Sequence, residues 1–244
     1  MLKKKQYRHK PIYKKFVTLR VNAQYKRRLL LLKFNKQKWQ RLILYLKRLQ
    51  NRRKKNFQIF DLNKINLPKN YNSFRKKYKT TIQDKSKIKI FYGNVLNKTL
   101  KKNLNLLNTR KKKNLKNLIN NHTFILKSFE TKLDIILYRA HFVNSVRAAR
   151  QLILHNHIKV NGNFISTSSY VVKVGDHITV NKKIFSLMYK NIYSSHLWPL
   201  PPKYLQINYK TLEILIISKI EYNNLSIFFP FFPKLYNILT FNKL

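Results

Sequence analysis

The chain is expected to fold as an α+β protein, helix-rich in its basic N-terminal part, with a small hairpin sheet inserted towards the C-terminus and a further β segment at the end. Three observations support this. Leu133, Ile136, Leu137 and Ala140 recur at i, i+3, i+4 and i+7, the period of a helix with one apolar stripe. Asn161-Gly162 stands between short apolar runs and is the strongest local hairpin signal, because both central residues must accept positive φ. The 53 Lys and Arg face only 7 Asp and Glu, a net charge of +46, and most of this charge lies in the first half of the chain among apolar residues at helical spacing.

Residues 1–128 hold 39 of the 53 basic residues and only Asp61 and Asp84 as acids. Like charges repel across a folded surface, so this part is not expected to be an ordinary independent domain. The runs Lys3-Lys4-Lys5, Arg52-Arg53-Lys54-Lys55 and Arg110-Lys111-Lys112-Lys113 read as arms that become ordered against phosphates. A permanently disordered tail is the plainer alternative, and the interleaved apolar residues weigh against it. Trp39, Leu42, Ile43, Leu46 and Leu49 form one stripe, and Leu96, Leu100, Leu104 and Leu107 suggest another. Each helix would bury one face and turn its lysines outward. Some of the Tyr and Phe residues could stack on bases, although most are better explained as core.

The central segment carries the sharpest pattern. Ser145 is a good N-cap for a second helix in which Val146, Ala149 and Ile153 pack inward, while Arg147, Arg150, Gln151 and Leu154 share another face. Guanidinium forks match phosphate oxygens, and a helix start adds unpaired N–H groups. Ile158 and Val160 alternate with Lys159 before the Asn161-Gly162 turn, the next strand is expected over 163–166, and Val174-Gly175-Asp176 forms a further turn. Asp134 could be read as a catalytic acid, but within this module it is expected to brace the helix pair through a nearby base. His155 and His157 flank one residue without any cysteine or acidic cluster. A closed structural zinc site needs about four ligands, so no metal is expected.

Helix, capped arginine helix, Asn-Gly hairpin and Val-Gly-Asp turn, in this order, resemble the RNA-binding module of the small-subunit ribosomal protein S-four family. Phe91-Tyr92-Gly93-Asn94 resembles a short family motif preceding a basic helix, and Tyr204-Leu-Gln-Ile-Asn-Tyr is similar to the C-terminal strand segment of mitochondrial members. These matches fall in family order. Two positions depart from the pattern: Lys132 stands where most members have arginine, and Val146 follows the capping residue, with the charge one place on at Arg147. The end also departs, since Ile227-Phe-Phe-Pro-Phe-Phe-Pro replaces the usual family ending. The resemblance implies RNA contacts at Lys132, Arg139, Arg147, Arg150, Gln151, His155, His157, Lys159, Asn161 and Lys173. Tyr92, Asn94, Arg52, Arg53, Arg110, Lys111 and Lys112 are expected to add to them. It divides the chain into a basic helical region (1–128), the module (129–190) and a C-terminal segment packing back on the body (191–244).

The same resemblance implies a structural, non-catalytic role without cofactor. The protein would bind small-subunit rRNA early in assembly, beside proteins of the S-five and S-three families and near the path of mRNA. The alternatives are an RNA-modifying enzyme of the pseudouridine synthase type and a ribosome-rescue RNA binder, both built on the same module. Only three glycines and four alanines accompany abundant Lys, Asn, Ile and Phe, the bias of an A+T-rich coding sequence. A mitochondrial location with an organelle gene is therefore expected. The lysine-rich start is nearly devoid of Ala and Ser and does not read as a transit peptide. With no cysteine, disulfides are excluded, as is the cysteine zinc knuckle of some bacterial members. No apolar run approaches the roughly 20 residues of a membrane span.

Overall fold

The computed structural model describes residues 13–19, 21, 37–52, 58–59, 74–95, 124, 126–197, 199–219 and 228–231. These fall into two compact units. One lies within Met1–Gln58, Asn66–Leu96 and Phe229–Leu244, the other within Ile59–Ile65 and Asn97–Phe228. The elements of the N-terminal half are α1 (Tyr13–Leu19), α2 (Gln37–Arg52), the two-residue strand β1 (Gln58–Ile59) and α3 (Phe74–Phe91). The second half adds α4 (Leu133–Arg139), α5 (Val146–Leu154), β2 (Ile158–Val160), β3 (Asn163–Phe164) and β4 (His177–Val180). A 3₁₀ turn (Lys182–Ile184), α6 (Phe185–Ser195), β5 (Leu205–Asn208), β6 (Glu213–Ile216) and β7 (Phe228–Phe229) complete it.

In the first unit α2 buries Trp39, Leu42 and Ile43 and leaves Lys38, Arg41, Lys47 and Arg48 exposed, the division its apolar period requires. Helix α3 ends in a Schellman cap. Gly93 N donates to Ile90 O and Asn94 N to Lys89 O, with φ of 73° at Gly93 and 61° at Asn94. Phe91-Tyr92-Gly93-Asn94 is thus first of all a helix terminator. Lys15 Nζ donates to Asn94 Oδ1 at 3.0 Å. The divergent ending has a packing role here, since the ring of Phe91 lies 5.0 Å from that of Phe229 and 6.1 Å from that of Phe231. The apolar stripe 96–107, together with Arg53, Arg110, Lys111 and Lys112, lies outside the described residues, as does the side chain of Arg52.

In the second unit, β3-β2-β4-β6-β5 form an antiparallel sheet. Ile158, Val160, Ile178, Val180, Ile214 and Ile216 are buried, the alternation expected of strands with one covered face. The segment 205–216 adds its hairpin directly to this sheet through β4, pairing Ile178 with Ile214. Strand β3 is shorter than the expected 163–166, reaching only Phe164, with one further bond from Ile165 N to Ile158 O. Helix α4 is expected to bury one apolar stripe against the core, and all seven of its residues are buried, so its other face is covered as well. Leu133 N donates to Tyr170 O and Val172 N to Thr131 O, which closes the chain around its start.

Candidate nucleic-acid interface

The candidate face is built on α4 and α5. Ser145 caps α5 by accepting from Ala148 N at 3.2 Å, an interaction that contributes about 1 kcal/mol. Val146, Ala149 and Ile153 are buried, which turns Arg147, Arg150, Gln151 and Leu154 towards the surface. Arg150 Nε donates to Asp134 Oδ2 at 2.7 Å across the helix pair, so Asp134 is the brace the sequence suggested. Its side chain is 3% exposed against 30% for Arg150. Burial pushes the Asp134 carboxyl up, against the opposing pull of Arg150 and Lys132. Burial also holds Lys132 down, with Arg150 adding to the effect, and Arg147 is lowered by burial and by Arg150. Lys132 and Arg150 therefore share one carboxylate, and Arg147 stands close enough to Arg150 to feel its charge, an arrangement that favours an incoming anion.

The hairpin borders this helix pair in sequence. Asn161 and Gly162 have φ of 51° and 84°, the left-handed pair of a type I′ turn. The Asn161 carboxamide donates to Asp176 Oδ1 at 2.9 Å and its oxygen accepts from His177 N at 2.9 Å. Asp176 Oδ2 accepts from Lys173 N at 2.7 Å. Turn and Val-Gly-Asp loop are thereby locked together. Lys159 Nζ lies 4.5 Å above the Phe164 ring, a cation–π contact that leaves the ammonium at the hairpin surface.

Residues 131–178 match the family model of the S4 domain. The chain is 36% identical over 167 residues to the small ribosomal subunit protein uS4m of Reclinomonas americana, covering 65% of this chain and 62% of that protein. It is 38% identical over 102 residues to uS4 of Brucella ovis, covering 42% of this chain and 46% of that protein; uS4 of Brucella suis matches to the same extent. The chain thus carries an S4 domain and is similar to uS4 proteins along part of its length. It spans less than two thirds of the length of these relatives.

Within the S4 module one residue expected to contact RNA is buried. Arg139 is 4% exposed and gives Nε and Nη2 to the two oxygens of buried Glu130, at 3.0 and 2.6 Å. A guanidinium satisfied by a carboxylate inside the protein is not presented to phosphate. Asn161 is exposed, and its side chain makes the two internal bonds just described. In the other unit Tyr92 is 1% exposed and meets Phe91 edge-on at 5.1 Å, so it is core. Asn94 holds Lys15 and the end of α3. Lys132, Arg147, Arg150, Lys159 and His157 are partly exposed, and Gln151, His155 and Lys173 are exposed. The rings of His155 and His157 lie 6.3 Å apart, and no cluster of three metal-binding side chains occurs among the described residues. No described helix is long and apolar enough to cross a membrane.

Sequence reasoning missed Glu130 and His141. Glu130 also accepts from Tyr204 Oη at 3.1 Å, which ties β5 to α4. His141 is buried at the C-terminal cap of α4 with φ of 63°, and its Nε2–H donates to Pro199 O at 2.7 Å. Burial holds its pKa below the ordinary 6.5. Below pH 6.5 the unfolded state therefore binds a proton that the native state refuses, so stability falls as pH falls from that value. Urea melts across pH 7.5 to 5 are expected to show this loss, and His141→Gln, which keeps a donor for Pro199, is expected to flatten the dependence. An unchanged slope would mean that His141 protonates freely in the native state.

Proposed function

We propose that the chain is a structural, non-catalytic constituent of the small subunit of a mitochondrial ribosome, where it binds small-subunit rRNA. The observation that carries this reading is the sharing of one buried carboxylate, Asp134, by Lys132 and Arg150, with Arg147 beside them, on a helix pair whose cap and hairpin are hydrogen-bonded in place. Lysines neutralise converging phosphates, and the module fixes their relative orientation. Early binding would then give neighbouring proteins, of the S-five and S-three families, a preformed surface near the path of mRNA. The residues proposed to touch RNA in the module are Lys132, Arg147, Arg150, Gln151, His155, His157, Lys159 and Lys173, with Arg52, Arg53, Arg110, Lys111 and Lys112 adding diffuse charge. The A+T-rich residue usage supports an organelle gene. Asp134, the carboxyl an enzyme would use, is engaged by Arg150.

Titration of the full chain against a fragment of small-subunit rRNA at fixed salt tests this. A charge-assisted contact contributes roughly 1.5 to 3 kcal/mol, so Arg150→Ala is expected to weaken binding about 10- to 150-fold. Lys112→Ala, one lysine in a run, is expected to change it by less than about 3-fold. Arg147→Ala gives the same direction as Arg150→Ala without leaving Asp134 alone. Equal losses at all three positions would show that the helix pair is not the anchor.

A further inference from the structure

Helix α6 follows the S4 module in sequence and carries an aromatic and basic face that the reading above does not use. Tyr193 is 83% exposed, the most of any described large apolar or aromatic side chain. Lys190 is exposed one turn before it, and the His196 ring lies 6.4 Å beyond it. One exposed tyrosine is ordinary on a surface. Here two further observations point to a ligand. Residues 177–212 contain five lysines and no aspartate or glutamate, so the flanks of this face complement a polyanion. The helix is also pinned to the body, since Asn191 Nδ2 donates to Phe142 O at 3.0 Å and Asn191 Oδ1 accepts from Asn144 Nδ2. Tyr189 Oη donates to Lys210 O at 2.6 Å, fixing the adjacent turn. A ring exposed on an anchored helix, one turn from the Lys190 ammonium, suits a planar base with its phosphate.

We propose that Tyr193, with Lys190 and His196, forms a second RNA site, a platform on which one single-stranded base stacks while Lys190 meets the flanking phosphate. The proposal rests on the rRNA-binding reading and extends the footprint of the second unit beyond the helix pair α4 and α5. The ligand class is unpaired ribonucleotide, because a duplex offers no free base face to the ring.

The test uses the full chain and a single-stranded oligoadenylate carrying one 2-aminopurine, since stacking tolerates any base. Tyr193→Ala is expected to lower affinity about 5- to 150-fold and to abolish the quenching of the 2-aminopurine, with the salt slope unchanged. Tyr193→Phe keeps both. Lys190→Ala is expected to reduce the salt slope by about 0.7, the contribution of one phosphate contact on a single strand. Far-UV circular dichroism checks that the fold persists, as it should for so exposed a side chain. Undiminished affinity and quenching in Tyr193→Ala overturn the proposal and leave a protein as the occupant of this face; lost affinity with quenching retained overturns stacking. The structured rRNA fragment is titrated in parallel. Failure of the parent chain to bind it would count against the rRNA reading itself, whereas normal binding with an inert Tyr193 counts against this site alone.

Discussion

Replacing Glu130 with leucine is expected to destabilise the second unit by about 3 to 5 kcal/mol, the range for removing one partner of a buried ion pair. Glu130 is fully buried, accepts both bonds of the Arg139 guanidinium and also that of Tyr204 Oη. Without it the guanidinium stays in the interior having lost the carboxylate that accepts two of its bonds, since Arg cannot lose its proton there. Burial and the Glu130 charge hold the Tyr204 hydroxyl well above its ordinary range, so it remains a donor and would lose its acceptor too. The triple variant Glu130→Leu, Arg139→Met, Tyr204→Phe removes all three polar groups together and is expected to recover most of the loss. Amide hydrogen exchange across 126–140 and 204–216 in the full chain reads the difference. Similar protection in Glu130→Leu and the parent would show that water reaches this site and that β5 is held by the sheet alone.

This triad also shows where the sequence stopped being legible. Its members stand at positions 130, 139 and 204, and neither helical nor strand period links 130 to 204. In a chain with 53 basic residues, the one arginine buried among the described residues looks like the others until its carboxylate is found. The opposite holds for Ser145, Asn161-Gly162 and the Asp134–Arg150 brace. Caps and turns are dictated by local backbone chemistry, and an acid at helical spacing from few bases has few partners to choose from. Helix ends fall between these cases. Schellman caps normally use glycine, and the α3 cap at Gly93 could be read on that basis. Helices α4 and α5 end instead with His141 and Asn156 at positive φ, closed by Phe142 N to Leu137 O and His157 N to Leu152 O. A chain with three glycines must place other residues there, and no glycine marks those stops. The aromatic ending was legible only as a departure from the family pattern, because its packing against Phe91 depends on a segment far away in sequence.

The hairpin turn is where a backbone change should reach the RNA face without altering any charge. Gly162 has φ of +84°, and a Cβ added there would meet nothing within 4 Å, so any penalty comes from the backbone and not from a clash. Gly162→Val puts a β-branched residue into a region it strongly disfavours, at a cost of about 1 to 3 kcal/mol. Asn tolerates the left-handed region far better, so Gly162→Asn is expected to cost much less. The strain has a defined route. Asn161 holds both His177 N and Asp176, and Asp176 holds Lys173 N, so a shift of the turn moves Lys159 and Lys173 together. RNA affinity of the full chain is therefore expected to fall for Gly162→Val and to stay near the parent value for Gly162→Asn, measured at one salt concentration. If the valine variant loses stability but keeps its affinity, the hairpin does not position the RNA-binding face; if it loses neither, Asn161-Gly162 can relax to another turn without disturbing Asp176.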